Sequence, residues 1–516
     1  MVIGCAIGAL KRRIRWSDRM SQKQRTTTTK SILPSLTVVA ILATGLLGCK
    51  APQHCCDVGL VHRELACRTG HDASRVRPCQ EVLPPGVVLE DGLSEDEAVH
   101  TALTNNSLFQ AAVAQLGMAA GDAEQASLLA NPQFLVYFPT STKEGQYTLF
   151  QPIESYLLRP ARVKVANREY RRIGSQLVQN GLDVARDVRL AYVDVAVAAE
   201  QAALAREALE IRQSIEEITD KRFDDGDISE LETITARVDQ LNAKAAAGVQ
   251  DQTVSIAEAQ LLTLMGVPFA PEPVAVLPLE VPQLPALVED ELVAQALACR
   301  PDYQSAKWAV AAASQRSDLS RWLWLRLDGV LDVRSDPGDR TGGGIRLDIP
   351  LFNRNQGGIV RADWELNAAM HNRDAIRDQI VADVRTAVRQ LQQARDNLRI
   401  LEKEVEPALI EALEISRKGF ADGGTDYLLV LQTTTQYLDA KSRILVQKAS
   451  VLRALAQLDR AVGANIESGS MDFVGLVEES SVPIPNLKYF GDKPLAAGTV
   501  ESAEDPSLEF RDFLTF

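Results

Sequence analysis

Cysteine and histidine residues cluster near the start of the chain, where they could bind a metal or form disulfides. The cluster comprises Cys55, Cys56, Cys67 and Cys79 together with His54, His62 and His71. Zinc accepts both residue types, but their spacing matches no C-x-x-C…C-x-x-C framework. In an exported protein the same cysteines would form one or two disulfides in a linker, and the sequence favours this interpretation over zinc. We therefore predict no metal site.

Cys49 ends a second pattern, which is typical of covalent lipid attachment. Basic residues precede an apolar run at 32–47, as in a secretory signal peptide. The tetrapeptide Leu-Leu-Gly-Cys that ends at Cys49 resembles a bacterial lipobox. We expect residues 1–48 to be removed, with Met20 as an alternative start, and Cys49 to carry the lipid. An ordinary signal peptide with a coincidental cysteine is the alternative. The sequence has no other apolar run of about 18 residues, so no membrane-spanning helix is predicted.

No catalytic motif competes with these features. The sequence contains no nucleophile elbow, no phosphate loop and no H-E-x-x-H motif. His100 and His371 are isolated, and we expect them on helix surfaces. We therefore predict no catalytic residue and no cofactor, and an enzyme stays an alternative only through the Cys/His cluster. The net charge of −14 argues against a nucleic-acid partner.

The elements that would position functional residues come from a duplication. The stretch "EDEAVHTAL" at 95–103 returns as "EDELVAQAL" at 289–297, and "FDDGDIS" at 223–229 returns as "FADGGTD" at 420–426. The offsets, 289 − 95 = 194 and 420 − 223 = 197, far exceed the roughly 20–50 residues of a solenoid repeat. The predicted organisation is a signal peptide at 1–48, a Cys/His-containing linker at 49–90, repeats at 91–267 and 289–465, a Pro-rich linker at 268–288 and an acidic, poorly ordered tail at 466–516.

Each repeat predicts the same succession of a helix, two strands and a long helical hairpin. A capping box at Ser94 and Glu97 begins the first opening helix. Charged and apolar residues alternate in the third strand, with Leu327, Leu331 and Val333 on one face and Asp328 and Asp332 on the other. The predicted opening helices are 94–130 and 289–321, the strands are 133–139, 146–152, 323–334 and 343–351, and the returning helices are 229–266 and 426–463.

The long helix predicted at 359–421 contains a sustained heptad seam. Its apolar positions step by four and three residues, which is the spacing of a coiled coil. Pro407 interrupts the seam and predicts a kink or a short break. The seam consists of Ile380, Val384, Ala387, Leu391, Ala394, Leu398, Leu401, Val405, Ala408, Ala412 and Ile415.

Four strands are too few to close a barrel, and helices of this length cannot fold on themselves. Both problems disappear if several copies of the chain share one barrel and one helical tube. If the strands lie in a membrane, such closure is required, because open sheet edges cannot exist in lipid.

The chain resembles the TolC-type outer-membrane efflux protein family over about residues 90–465. The resemblance rests on four stretches in the correct order. They are the opening helix "LSEDEAVHTALTNNSLFQAAVAQ", its counterpart "RPDYQSAKWAV", the strand-to-helix junction "IPLFNRNQG", and the two turns followed by "LETITARVDQLNAK" and "LLVLQTTTQYLDAK".

The resemblance implies a mainly α fold with a β-barrel part. Four strands from each of three protomers would make a twelve-stranded barrel in the outer membrane, and duplicated coiled-coil hairpins would make an α-helical tube in the periplasm. The homotrimer would be the passive exit duct for an inner-membrane pump that works with a periplasmic adaptor. The form "PLFNRNQG" resembles most the members that serve heavy-metal or drug efflux by resistance–nodulation–division pumps, so a pump of that type is implied. A lipid-anchored periplasmic coiled-coil scaffold without a channel is the alternative.

The resemblance also assigns residues at the far end of the hairpins. The adaptor would dock on two tip turns, Gly226-Asp227-Ile228-Ser229 and Gly423-Gly424-Thr425-Asp426. Gly423 and Gly424 are expected to allow a tight turn with positive φ. Glu232 matches an acidic position that narrows the entrance in the family's archetype. The equivalent positions in the second repeat are Leu429 and Gln432, so a weaker cation selectivity is expected at this constriction.

Overall fold

The computed structural model shows two copies of one helix–strand–helix pattern. The helices are α1 (Val58–Thr69), α2 (Glu95–Asn105), α3 (Ser107–Ser127), α4 (Glu154–Asp224), α5 (Glu230–Met265), α6 (Glu289–Cys299), α7 (Pro301–Ser320), α8 (Gln356–Ile400), α9 (Glu406–Ala421) and α10 (Tyr427–Val462). The strands are β1 (Gln133–Tyr137), β2 (Gly145–Pro152), β3 (Leu327–Ser335) and β4 (Arg340–Leu347). The structure describes residues 58–71, 83–84, 87, 92–137, 145–269, 274–283, 287–335, 340–422 and 424–464.

Each repeat opens with two helices where the sequence predicts one. The helix predicted at 94–130 is interrupted at Asn106, and the helix predicted at 289–321 is interrupted at Arg300. The prediction of continuous helices is therefore wrong at one residue in each repeat. Both breaks fall at the same place in the duplication, because 300 − 106 = 194.

The breaks coincide with points where a returning helix ends against the opening pair. A Cβ on Gly266 would lie 2.5 Å from Asn105 O, and a Cβ on Gly463 would lie 3.3 Å from Arg300 Cγ. Both glycines have left-handed φ angles, of 76° and 81°. Asn106 Nδ2 and Arg300 Nη1 each donate to the carbonyl oxygen two residues before the facing glycine, at 2.9 Å and 3.3 Å. The close approach thus requires glycine at the end of α5, and the left-handed φ favours glycine at the end of both α5 and α10.

Ion pairs fix the register between the two repeats. Arg189 Nη1 on α4 lies 2.8 Å from Asp459 Oδ2 on α10, and both side chains are buried. One residue further along α10, Arg460 Nε lies 2.8 Å from Asp183 Oδ1 on α4. Asp383 on α8 joins the network, 3.3 Å from Arg460 Nη1. Sliding α4 along α10 would separate these charges, and leaving a buried charge unpaired costs about 3–5 kcal/mol.

The four strands form one antiparallel sheet in the order β1-β2-β3-β4, and the pairing of β2 with β3 joins the repeats. The alternation predicted for the third strand is confirmed, with Asp328 and Asp332 on a polar face. Asp328 Oδ2 lies 3.0 Å from Arg346 Nη2 on the neighbouring strand, so the charges on this face are partly paired. The other face is apolar. It carries Phe134, Val136, Tyr147, Leu149, Leu327, Leu331, Val333, Ile345 and Leu347.

The predicted heptad seam is confirmed in α8 and wrong in α9. Ile380, Val384, Ala387, Leu391, Ala394 and Leu398 are all buried. Past Val405 the predicted positions Ala408 and Ile415 are exposed, whereas Leu413 and Ser416 are buried. The buried face therefore moves by one residue between α8 and α9.

A π-helical turn at Leu401–Val405 accounts for this shift. Glu406 N donates to Leu401 O, five residues earlier, so the turn holds one residue more than an α-helical turn. Pro407 follows directly, and its ring would clash with the carbonyl of Lys403 in a regular α-helix. The wider turn relieves this clash and keeps the chain helical. The break predicted at Pro407 is thus replaced by a change of helical phase.

The segment predicted as a linker at 49–90 includes the helix α1, which packs on the first repeat. Val61 and Leu65 are buried in the same apolar cluster as residues of α3 and α4. Arg68 Nη1 donates to Gly463 O at 2.9 Å, so α1 also reaches the end of the second repeat.

Candidate functional site

The two turns predicted as docking tips lie side by side at one end of the helices. The helix α4 has 71 residues and runs from the sheet to the first turn, a rise of about 105 Å. Arg222, at the end of α4, has its guanidinium carbon 4.9 Å from the centroid of the Phe420 ring at the end of α9. Its Nη1 also donates to Phe420 O at 3.5 Å. The tips therefore form one surface, far from the sheet.

Hydrogen bonds within the first tip fix its conformation. Gly226 has a φ of 82°, and Asp227 N donates to Arg222 O at 2.9 Å, which closes the end of α4. Ser229 then begins α5 with a capping box. Its backbone N donates to Glu232 Oε2 at 2.9 Å, and Glu232 N donates to Ser229 Oγ at 3.4 Å. Asp227 and Ser229 are exposed and Ile228 is half-buried.

The capping box at the first tip repeats the one predicted at the start of α2. There, Ser94 N donates to Glu97 Oε2 at 2.9 Å and Glu97 N donates to Ser94 Oγ at 3.3 Å, as predicted. The sequence analysis identified the first box and missed the second. The same S-x-x-E spacing at 229–232 is the signal that would have found it.

The second tip is less constrained than the first. Asp426 stands at the N-cap of α10 but makes no side-chain capping hydrogen bond, and it is exposed. Gly424 N donates to Gly419 O at 2.8 Å. The φ of Gly424 does not lie in the left-handed region, so the expected positive φ is wrong for this residue. Gly423 lies outside the described residues. Thr425 is half-buried.

The predicted constriction residues occupy the first turns of the two returning helices. Leu429 and Gln432 are exposed on α10. Glu232 is half-buried on α5, and its carboxylate accepts from both Ser229 N and Ser229 Oγ, at 2.9 Å and 3.1 Å. Glu232 therefore caps the N-terminus of α5, and its predicted role in narrowing the entrance would come in addition to this.

An apolar cluster behind the tips holds the two hairpins together. It contains Ile215 of α4, Ala236 of α5, Phe420 of α9, and Tyr427 and Val430 of α10, all buried. The Tyr427 hydroxyl donates to Asp239 Oδ2 on α5 at 2.8 Å, which is a direct bond between the hairpins. Burial, with the neighbouring Asp239 carboxylate, holds the pKa of Tyr427 well above its usual value, so the hydroxyl stays a donor.

The sequence analysis missed Tyr427, Asp239 and Phe420. One signal was available for Phe420, because an aromatic residue precedes the turn in both repeats, at Phe223 and Phe420, with the offset 420 − 223 = 197. Phe223 is exposed, whereas Phe420 fills the cluster. No comparable signal pairs Tyr427 with Asp239, which are 188 residues apart.

The two tips differ in charge. Between Asp220 and Glu232 there are six acidic and two basic residues, a net charge of 2 − 6 = −4. Between Arg417 and Val430 there are two of each, a net charge of zero. The first tip thus presents an acidic surface and the second a neutral one.

The remaining predicted sites are tested only in part. Cys49 lies outside the described residues, as do Cys55, Cys56 and Cys79, so lipidation and the disulfides stay predictions. Cys67 is a free, exposed cysteine on α1. Across the described ranges, no three Cys, His, Asp or Glu side chains are grouped so that they could hold a metal ion. Among the described helices, none combines the length and apolar character needed to cross a membrane.

Comparison with known sequences identifies relatives of this chain. Residues 292–464 match the family profile described as "Outer membrane efflux protein". The cobalt-zinc-cadmium resistance protein CzcC of Cupriavidus metallidurans is 25% identical over 377 residues, which cover 72% of this chain and 90% of that protein. The nickel-cobalt-cadmium resistance protein NccC of Alcaligenes xylosoxydans xylosoxydans is 25% identical over 333 residues, which cover 60% of this chain and 71% of that protein.

Solved structures share the fold. The outer membrane protein VceC of Vibrio cholerae aligns with a TM-score of 0.60 at 18% identity, covering 72% of this chain and 96% of its own. CusC, described as a transmembrane channel, aligns with a TM-score of 0.62 at 17% identity, covering 75% and 98%. The open-state MtrE channel of Neisseria gonorrhoeae aligns with a TM-score of 0.58 at 20% identity, covering 72% and 89%. This chain therefore shares its fold, long helices with a four-stranded sheet, with these three structures.

Proposed function

The chain belongs to the outer membrane efflux protein family, whose fold is that of channels and not of enzymes, and we propose that it is the exit duct of a tripartite efflux system. In this role it lets small molecules or metal ions pass passively from an inner-membrane pump and a periplasmic adaptor to the outside. The observation that carries the proposal is that the helical layer and the sheet of one protomer both have two unpaired edges.

The helical layer has one apolar edge on α5. Over most of its length α4 packs between α5 and α10, and α8 packs on the other side of α10. On α5 the side chains Leu231, Ile234, Val238 and Leu241 follow heptad spacing and are between 49% and 73% exposed. We call these four residues the α5 stripe. A second face of α5, with Ala236, Ala243 and Ala247, is buried in the protomer. Two apolar faces on one helix indicate a second helical partner.

The opposite edge, on α8 and α9, also exposes large apolar side chains. They are Val360, Trp364, Ile400, Ile410 and Ile415. In the sheet, β1 and β4 are the outer strands and each is paired on one side only. One copy thus offers two different edges, which is the condition for a heterologous ring that closes by rotation. Closure by three copies gives twelve strands and removes every open edge from the lipid.

The α5 stripe supplies a test of this assembly. We expect Leu241→Asp to abolish the heat-modifiable, detergent-dependent oligomer on gels and the conductance of the purified protein in planar bilayers. Burying an unpaired carboxylate between helices costs about 3–5 kcal/mol or forces the group to take up a proton. Lys244→Asp is the matched control, because it places the same charge on the exposed surface of α5 outside the stripe.

Conductance and oligomer should survive in the control. A detergent-independent soluble monomer of the unmodified protein would instead support the alternative of a lipid-anchored scaffold, and equal losses in both variants would contradict the role of the stripe.

The periplasmic adaptor is proposed to dock on the tips, and the charge of the first tip defines its chemistry. A surface with a net charge of −4 favours a partner tip that carries Lys or Arg. Charge reversal at Asp224 and Asp227, both exposed, should weaken cross-linking to the adaptor, and raised salt should weaken it in the unmodified pair. Restoring the link with the opposite reversal on the adaptor would establish direct contact.

The relatives are named for resistance to cobalt, zinc, cadmium and nickel, which supports these metal ions as the exported substrate. The pump is proposed to be of the resistance–nodulation–division type, from the resemblance carried by the stretch "PLFNRNQG". A host strain that lacks the gene should become sensitive to cobalt, zinc, cadmium or nickel, and the cloned gene should restore resistance. If the strain becomes sensitive to organic drugs and not to metal ions, the exported substrates are drugs, and the proposed role as an exit duct still holds.

Lipid attachment at Cys49 would hold the protein at the outer membrane, with its helices in the periplasm. Cys49→Ser should remove label from radioactive palmitate and leave an unprocessed precursor. Retention of the acyl label in this variant would exclude Cys49 as the anchor.

A further inference from the structure

Basic side chains converge on α7, which packs against both α4 and α8. Lys307, Trp308 and Ala311 share one face of this helix, because Ala311 follows the other two by four and three positions. Arg168 Nη1 on α4 donates to Ala311 O at 2.7 Å. The guanidinium carbon of Arg171, also on α4, lies 4.9 Å from the centroid of the Trp308 ring. The helix α4 thus brings two guanidinium groups to the face that carries Lys307.

Two more arginines approach this face from α8. Burial and the nearby charge of Arg373 lower the pKa of the Lys307 amine, so these two cations lie close together. Arg377 follows Arg373 by one helical turn on the same face of α8. The basic patch, as we call this surface, consists of Arg168, Arg171, Lys307, Arg373 and Arg377.

The positive charges of the basic patch are only partly balanced. Arg373 Nη2 lies 2.7 Å from Asp374 Oδ1, and Arg377 Nη2 lies 2.9 Å from Asp378 Oδ1. The other three cations of the patch form no ion pair with a carboxylate in the part of the chain that the structure describes. Five cations and two carboxylates leave a net charge of 5 − 2 = +3. Like charges at this density repel one another, and an anionic partner would relieve the repulsion.

The chain itself supplies an acidic segment that begins near the basic patch. Residues 466–516, the acidic tail, contain ten acidic and three basic residues, a net charge of 3 − 10 = −7. The tail follows the end of α10, where a Cβ on Gly463 would lie 3.4 Å from Arg300 Cα. Lys307 is seven residues beyond Arg300 along α7, a rise of about 10 Å. Ten extended residues span about 33 Å, so the first carboxylates of the tail can reach the patch.

Tethering favours the tail over other anions. A segment joined to its site by a short linker has an effective concentration on the order of mM, which a free anion would have to match. Complementary charge then selects the docked position. We propose that residues 466–516 dock on the basic patch of the same chain. The docked tail ties α4 of the first repeat to α7 and α8 of the second, and this role does not depend on the proposed exit duct.

Carbodiimide coupling tests the contact, because this reagent joins an amine directly to a carboxylate that touches it. Lys307 carries the only amine of the basic patch. The purified full-length protein in detergent would be coupled and digested with trypsin, and mass spectrometry would identify the joined peptides. We expect Lys307 to be joined to a carboxylate of 466–516. Lys244, exposed on α5 and outside the patch, is the internal control and should not be joined to the tail.

Charge reversal in the patch gives the matched variants. Arg171→Glu should lower the yield of coupling at Lys307 severalfold, and so should salt at about 1 M, where the Debye length is about 3 Å. Arg237→Glu makes the same change of charge on exposed α5 and should leave the yield unchanged. Gels would check that each variant retains the oligomer. If Arg171→Glu does not, Arg377→Glu takes its place, since Arg377 is also exposed.

Three results would overturn the inference. The first is no coupling between Lys307 and the tail in the unmodified protein, which would leave the patch to an external anion. The second is an equal yield in the patch variant and in Arg237→Glu. The third is coupling in oligomers that combine a chain lacking 466–516 with a full-length chain carrying Lys307→Gln, because such coupling arises only between copies. We expect no joined peptide in these mixed oligomers.

Discussion

Tyr427→Phe should open the tip without disturbing its packing. The substitution removes the hydroxyl that donates to Asp239 Oδ2 at 2.8 Å and leaves the ring in the buried cluster. A hydrogen bond to a charged group contributes about 1.5–3 kcal/mol. Three such bonds in a trimer would shift the equilibrium between closed and open tips by about 4.5 kcal/mol, roughly a thousandfold, at the lower end of that range.

The assay is the single-channel conductance of the purified trimer in planar bilayers, together with the sensitivity of cells to an antibiotic too large for ordinary porins. Tyr427→Phe should conduct more and sensitise the cells. Asp239→Asn is the matched control, because an amide oxygen still accepts from the Tyr427 hydroxyl and should preserve much of the closure. Wild-type conductance in Tyr427→Phe, or a larger effect in Asp239→Asn, would refute the assignment of this bond as a latch.

The pH dependence of closure follows from the same pair. The pKa of Tyr427 is raised by burial and by Asp239, so the folded state holds the proton more tightly than the unfolded chain. The contribution of this group is therefore complete below its ordinary pKa of about 10 and is lost only as the pH rises through the raised value. We therefore expect the conductance of the channel to stay constant from neutral to mildly alkaline pH. A rise in conductance near neutral pH would show that a titratable group other than Tyr427 controls closure.

Three further substitutions test other parts of the protein. Gly424→Trp should preserve the trimer and abolish adaptor cross-linking and efflux, since Gly424 is exposed at the tip; loss of the trimer itself would contradict the docking role. Leu391→Asp buries a carboxylate in the seam and should abolish the trimer on native gels, at a cost of about 3–5 kcal/mol, whereas Gln393→Asp on the exposed side should be tolerated. Thr434→Val removes a buried hydroxyl without a hydrogen-bond partner and should raise the free energy of unfolding by about 1–3 kcal/mol, seen as a higher melting temperature by circular dichroism. Thr219→Val, which loses a hydrogen bond to Ile215 O, should lower the melting temperature.

Local sequence patterns explain which helices and strands could be predicted. The capping box at Ser94 and the alternation around Asp332 depend on residues two to four positions apart, whose geometry any helix or strand imposes. The seam from Ile380 to Leu398 was predictable for the same reason. The duplication was visible because both copies retain similar turns, at Gly226 and at 423–426.

Contacts between distant parts of the chain decided the rest. The breaks at Asn106 and Arg300 have local signals, because Asn106 caps α3 and Pro301 follows Arg300. The local sequence does not show that the returning helices end against these breaks. At Pro407 the sequence predicts a disruption but not its form. In the structure a π-helical turn takes the place of a kink, and this turn sets which face from Leu413 onward is buried.

The sequence by itself determined the four strands and the long helices, where the two turns lie and which family the chain resembles, because these properties reside in residues close together along the chain. Only the tertiary structure decided which side chains meet at the tip. Tyr427 and Asp239 belong to different repeats, and nothing in their local sequences specifies the pairing.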